Sequence, residues 1–254
     1  MKGHQQEILM SKLLPVDVVK SQPPVLQEHL SLCIDFILSK LNGVVSIILT
    51  GGYGRGEGSW IKEEEQYNTY NDYDFVVVVE MKKNKIKKNL DTSELAKKLG
   101  INWIDIDIFF LDEIKSLKPT IKNFDIINDS CVIYGKSKVL ELAPNIQPHN
   151  FSSKEFFTFY FTRAYALLFC LPDNKNINNM TKEERIFFHN QLAKGFLAVM
   201  DCENFYKFNF YHTSYKKRLD FYIANSNDHK KNKVFKWALK EKLNPCVKAY
   251  DINF

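Results

Sequence analysis

The chain has few of the features that mark secreted or membrane-spanning proteins. Its five cysteines are odd in number and widely spaced, without a Cys-x-x-Cys pair, which predicts reduced thiols rather than a disulfide framework. No apolar run approaches the roughly 18 residues that span a bilayer, and residues 1–16 lack the apolar core of a signal peptide. We therefore expect a cytoplasmic protein with no membrane partner.

Arginine is also scarce, and the excess of positive charge is small. Only four of the 35 basic residues are arginines, and the formal net charge is +5. A general nucleic-acid-binding surface usually carries a stronger basic excess with clustered arginines. Nucleic acid is therefore not the favoured partner.

The apolar pattern changes along the chain from strands to long helices. Apolar runs at 44–50, 75–79 and 101–110 predict strands, whereas helical spacing dominates from about residue 151. With 254 residues, 45% of them apolar, the chain can bury one good core or two modest ones. We predict an α/β (α+β) lobe with a small mixed sheet over residues 1–148 and an all-helical lobe over residues 149–254.

A glycine-rich turn follows the first predicted strand. Residues 49–58 are Leu-Thr-Gly-Gly-Tyr-Gly-Arg-Gly-Glu-Gly. Without Cβ atoms, the backbone N–H groups of such a turn can close around an anion. Gly51 and Gly52 are therefore candidate phosphate ligands, and a short helix is expected at about residues 57–62.

Two pairs of carboxylates follow on the next strands. Asp72 and Asp74 stand at i and i+2, as do Asp105 and Asp107. In a strand, side chains at this spacing leave the same face. Crowded carboxylates beside apolar strands repel one another and lose solvation unless cations neutralise them. A divalent metal is the simplest such cation.

The turn and these carboxylates together resemble the nucleotidyltransferases of the DNA polymerase β type. That superfamily has an apolar strand ending in Gly-Gly or Gly-Ser, then Asp-x-Asp on the next strand and another acidic residue on a third. The turn itself is similar to that of the uridylyltransferases that modify nitrogen-regulatory proteins. The resemblance covers residues 44–112, and residues 59–70 lengthen the usual gap as a surface insertion or a substrate-specific lid.

The resemblance implies transfer of a nucleoside monophosphate from a nucleoside triphosphate to an acceptor hydroxyl, with release of pyrophosphate. Two Mg²⁺ ions, or Mn²⁺, would be held by Asp72, Asp74 and a third carboxylate. Asp107 is favoured as the third because an apolar stretch and then an acidic helix start follow it. Asp105 is the alternative ligand, or the group that accepts the acceptor's proton. The acceptor is expected to be a small molecule or a protein side chain.

Three cations are further candidates for nucleotide binding. Gly52 lacks the serine hydroxyl frequent in the superfamily, so Arg55 either binds a phosphate in its place or is a surface arginine that closes the turn. Arg163 lies in a helix that is apolar nearly all round, which predicts burial beside either a ligand or a structural anion. Lys216 either touches the triphosphate or lies on a solvated face.

An alternative function also fits these motifs. On this alternative, the chain is an antitoxin-like, partner-binding protein on the same fold, with weak or no catalysis. The residues specify neither the acceptor, nor the nucleotide, nor the oligomeric state.

Overall fold

The computed structural model describes residues 24–63, 66–80, 90–170 and 180–245. The segment 1–16, interpreted above, lies outside the described residues. The described chain forms two compact units. The first comprises 24–58, 63, 66–80, 90–118 and 125–146, and the second comprises 59–62, 119–124, 147–170 and 180–245.

The first unit is built on a four-stranded mixed sheet with the order β5-β4-β1-β6. Strand β1 is antiparallel to both β4 and β6, whereas β4 and β5 are parallel. The elements of residues 24–135, in chain order, are α1 (Pro24–Lys40), β1 (Val44–Leu49), α2 (Gly51–Gly54), β2 (Ser59–Glu63), β3 (Gln66–Tyr70), β4 (Asp72–Val79), α3 (Ser93–Leu99), β5 (Trp103–Phe110), α4 (Leu111–Ile114), α5 (Ile121–Asn128) and β6 (Cys131–Gly135), of which most of β2 and the start of α5 belong to the second unit. The predicted small mixed sheet is confirmed, with β6 as a strand that the sequence analysis missed.

The two central strands, β1 and β4, form the core of this sheet. Their continuous apolar runs are buried along almost their whole length, as expected for strands that are covered on both faces. One buried cluster lies against the sheet and includes Val45, Ile48, Val76, Val78, Ile114, Ile126 and Val139. The strand ends that carry Thr50 and Asp72 are thus fixed to a well-packed core.

The helix expected at residues 57–62 is wrong. The short helix α2 instead comprises Gly51–Gly54, and Ser59–Glu63 is a strand that forms a two-stranded sheet with β3. Gly56 has φ +77°, outside the helical region, so the helix cannot continue through it. Aromatic and β-branched residues at 60 and 61 then favour a strand. The described residues of the segment that lengthens the gap between Gly52 and Asp72 therefore include two paired strands, 59–63 and 66–70.

The second unit is helical, as predicted for the C-terminal part. Its helices are α6 (Ser153–Phe169), α7 (Lys182–Phe208), α8 (Tyr215–Asn225) and α9 (His229–Leu243). Helix α7 begins with a capping box in which Thr181 and Glu184 satisfy each other's backbone N–H groups. The core between α7, α8 and α9 includes Ala193, Leu197, Met200, Tyr215, Leu219, Tyr222, Phe235, Ala238 and Leu239.

Helix α6 is not buried all round, contrary to the expectation from its sequence. Phe156 is buried and stacks on Phe205 of α7, with 3.9 Å between ring centroids. The other side of α6 is exposed over most of its length. An apolar pattern indicates which residues can be buried. Whether they are buried depends on the elements that pack against them.

Two further structural facts concern membranes and thiols. Among the described helices, none combines the length and the apolar character needed to cross a bilayer. Cys33, Cys131, Cys170 and Cys202 are free thiols. Burial raises the pKa of Cys33 to about 12, so this thiol stays protonated and unreactive in the folded protein.

Candidate metal centre

Three carboxylates meet where β4 and β5 run side by side. The parallel register places Asp74 opposite Asp105, and Asp72 lies two residues before Asp74 on the same strand face. Asp72, Asp74 and Asp105 each offer an oxygen atom, and these atoms all lie within 4.8 Å of one another. Asp72 and Asp74 are half-buried and Asp105 is exposed, so the cluster is accessible from solvent.

The structure brings Asp105, and not the favoured Asp107, to this cluster. Asp107 lies opposite Val76, one step of two residues further along β5, which is about 6.6 Å at the usual rise of a strand. Asp105 and Asp107 share a strand face, so the sequence alone left the register open. The pairing of β5 with β4 decides it, and Asp107 is corrected to Asp105 as the third carboxylate of the cluster.

The glycine turn is fixed against Asp74. The backbone N–H and the hydroxyl of Thr50 both donate to the Asp74 carbonyl, at 2.8 and 3.2 Å. Gly51 follows with φ +62°, and a Cβ atom there would lie 2.9 Å from the carboxyl carbon of Asp74 and overlap its Oδ2. Gly51 is therefore required both by its backbone conformation and by the approach of the carboxylate.

Asn71 holds the first carboxylate and was not predicted from the sequence. It is buried, with φ 84°, and its side-chain amide donates to Oδ1 of Asp72. Its carbonyl accepts from the N–H of Asn102 at 2.8 Å. Asparagine tolerates this left-handed backbone conformation better than most residues, and that preference is the signal that could have identified it.

A buried pair of tyrosines ties the turn to β4. The Tyr53 hydroxyl donates to the carbonyl of Tyr70 at 3.1 Å and accepts from its N–H at 2.8 Å. Tyr73 packs edge-on against Tyr53, and its hydroxyl is 2.8 Å from Nδ1 of His29. Burial raises the pKa of both tyrosines, so both hydroxyls are neutral. The turn is thus held by neutral hydrogen bonds.

Arg55 is anchored by two carboxylates within the first unit. Its guanidinium lies 3.2 Å from Asp125 and 3.8 Å from Glu57, and its side chain is 8% exposed. This geometry gives Arg55 a structural role, joining the turn to α5, with Glu57 orienting it. Its binding to phosphate stays a prediction.

The two candidate cations of the helical unit have local partners. Lys216 is exposed and pairs with Asp220 at 3.2 Å one helical turn away, as expected of a solvated helix face. Arg163 is half-buried, with its guanidinium 5.6 Å from the centre of the Phe159 ring. The expectation of a fully buried Arg163 is therefore wrong.

The deeply buried arginine of this unit is Arg218. It pairs with Asp201 at 2.6 Å, with both side chains essentially inaccessible. Its guanidinium also lies 4.7 and 4.1 Å from the ring centres of Tyr211 and Tyr215. The sequence placed Arg218 in an exposed-looking basic run, where no residue signals its burial.

The donor set at the carboxylate cluster suits a hard divalent cation. Three carboxylate oxygens within 4.8 Å are ligands of the kind that Mg²⁺ and Mn²⁺ prefer. No protein-family model matches the chain, and no curated protein matches it. Its function is therefore inferred from this cluster and the turn beside it.

Proposed function

We propose that the chain is a Mg²⁺-dependent nucleotidyltransferase of the DNA polymerase β type. The observation that carries the proposal is the convergence of Asp72, Asp74 and Asp105 within 4.8 Å. A glycine turn that follows the neighbouring strand β1 and abuts Asp74 supports it. The mixed sheet supplies the order of elements that the superfamily resemblance implies: strand, glycine turn, Asp-x-Asp strand and a third acidic strand.

Each residue of the cluster has a role in this proposal. Asp72, Asp74 and Asp105 would hold the divalent ions, which supply charge neutralisation and activation of a bound hydroxyl. Gly51 and Gly52 are the first two residues of α2. The first N–H groups of a helix have no hydrogen-bond partner within the helix. Those of Gly51 and Gly52 are the proposed donors to the triphosphate. Thr50 and Asn71 orient Asp74 and Asp72.

The proposed reaction makes one phosphorus–oxygen bond and breaks another. The acceptor's hydroxyl oxygen attacks the α-phosphorus of a nucleoside triphosphate, and the bond to the β-phosphate oxygen breaks, releasing pyrophosphate. The hydroxyl proton leaves to a carboxylate of the cluster or to water. A small metabolite or a protein side chain is the proposed acceptor, since the basic excess of the chain is small.

Transfer of label tests the activity. The purified chain is incubated with each α-³²P-labelled triphosphate, Mg²⁺ and a cell extract, and a labelled acceptor is expected. Asp74→Asn removes a charged ligand without leaving a cavity, so labelling should be lost while the fold persists. Labelling retained within about tenfold, roughly 1.4 kcal/mol of barrier, would contradict the metal-binding role.

The pair Asp105 and Asp107 provides a matched comparison. Both lie on β5, share a strand face and lose the same charge when changed to asparagine. Asp105→Asn should abolish transfer, and Asp107→Asn should reduce it far less. The reverse order would restore Asp107 as the third ligand.

Nucleotide binding is measured separately from turnover. A triphosphate present at a hundredfold excess over its Kd stabilises the folded state by about 2.7 kcal/mol, which a thermal melt detects. The shift should require both Mg²⁺ and nucleotide and should disappear in Asp74→Asn. A shift without any labelled acceptor would favour the partner-binding alternative, and no shift with ATP, GTP, CTP or UTP would contradict nucleotide binding.

A further inference from the structure

Helix α6 exposes a continuous aromatic face. Of the eleven large apolar side chains that are exposed in the described part of the chain, six lie on this helix. We call them the α6 face: Phe157, Tyr160, Phe161, Tyr165, Leu168 and Phe169. Their spacing of three and four residues places them along one side of the helix.

The size of the α6 face exceeds what a monomer usually exposes. Its members are 44–80% exposed, and a side chain of this size has a full surface of about 200 Å². Together they expose roughly 750 Å², whereas the largest apolar patch on a typical monomer is about 300–600 Å². A stable protein–protein interface buries about 800 Å² on each partner. The area therefore matches one half of a standard interface.

We propose that the α6 face is the interface of a homodimer, in which two copies of α6 cross antiparallel about a twofold axis. Such an interface is isologous, so each residue i that contacts residue j of the partner is matched by j contacting i. An axis level with residue 163, the midpoint of the α6 face, brings Phe161 opposite Tyr165 and Phe157 opposite Phe169. Large side chains then face large side chains in both halves.

Two features of the α6 face fit this self-pairing. Phe157 stacks on Phe161, and Tyr165 stacks on Phe169, at centroid distances of 6.3 and 6.4 Å. The twofold axis would bring one stacked pair against the other, giving the aromatic contacts that dominate interface energies. Leu168 would lie opposite Thr158, a small exposed residue that leaves room for it.

Sedimentation velocity of the full chain between about 1 and 100 μM tests the proposal. A dimer of twice the 29.7 kDa chain mass is expected. Phe161→Glu should raise the dimer dissociation constant at least about 100-fold, because it introduces two charges into the centre of the interface. Tyr67→Glu, which changes a comparably exposed aromatic residue in β3, is the matched control and should remain dimeric. The far-ultraviolet circular dichroism should be unchanged in both variants.

A complementary pair of variants tests the antiparallel register. Phe161→Glu and Tyr165→Lys should each be monomeric, and an equimolar mixture should form a heterodimer, because the new carboxylate and ammonium groups would then face each other. Should Phe161→Glu fail to fold, Phe169→Glu at the exposed helix end replaces it and is mixed with Phe157→Lys, which faces it in this register. A monomeric wild-type chain at 100 μM, or dimers unaffected by these changes, would overturn the proposal. A monomer would mean that a different partner or another part of the chain covers the face.

Discussion

Replacement of Gly51 by alanine tests the link between the glycine turn and the proposed metal site. Gly51 has φ +62°, which costs an alanine about 1–2 kcal/mol. The new Cβ would also lie 2.9 Å from the carboxyl carbon of Asp74, so that group must withdraw by at least 0.5 Å to reach an ordinary contact of 3.4 Å. Metal sites require ligand distances accurate to about 0.2 Å. We therefore expect metal affinity to fall at least tenfold, about 1.4 kcal/mol.

Gly56→Ala is the matched control for this prediction. Gly56 has a similar backbone conformation, φ +77°, but nothing lies within 4 Å of its added Cβ. The Gly56→Ala variant should lose the same free energy of unfolding as Gly51→Ala owing to backbone conformation, measured by thermal melting without metal. Its metal affinity should stay at the wild-type value. Binding of Mn²⁺ is followed by electron paramagnetic resonance and compared among the wild type and both variants. Wild-type affinity in Gly51→Ala would refute the assignment of Asp74 as a ligand positioned by the turn.

Two further predictions concern stability. Arg218→Met leaves Asp201 buried without its cation, at a cost of about 3–5 kcal/mol, and should lower the melting temperature by on the order of 10 °C. Arg163→Met changes a half-buried arginine and should lower the melting temperature only slightly. Equal losses of melting temperature in the two variants would contradict the distinction between a buried Arg218 and a half-buried Arg163. Burial lowers the pKa of His29, so the unfolded chain binds its proton more readily. Stability should therefore decline as the pH falls below about 6.5, and a pH series of melts should show a smaller decline in His29→Asn.

The sequence predicted the elements of the sheet from local pattern alone. The run Val44–Leu49 and the valines that end β4 are apolar on both faces, which is typical of covered strands. Gly100 ends α3 in the left-handed conformation expected of a C-terminal glycine. Such signals depend only on neighbouring residues. The strands and the helix end form as predicted because the burial and the backbone conformation in the structure agree with these local preferences.

The parts that sequence reasoning missed depend on distant contacts. The choice between Asp105 and Asp107 follows from the register of β5 against β4, and both residues carry the same local signal. The burial of Arg218 follows from Asp201, which lies on another helix. The exposure of α6 follows from the neighbours it lacks in the described residues. In each case the sequence gives the residue type, whereas the contacts that determine its role are made by residues distant in the chain.

The arrangement of the three carboxylates bears on the proposed metal site. Ionised carboxylates whose oxygen atoms lie within 4.8 Å of one another repel each other. The backbone resists relief of this repulsion, because Asp74 is held by Thr50 and Asp105 lies opposite Asp74 in the strand pair. The strand pairing therefore keeps these three carboxylates together. A solvent-accessible set of carboxylate oxygens on two paired strands is of the kind that binds an exchangeable divalent metal ion.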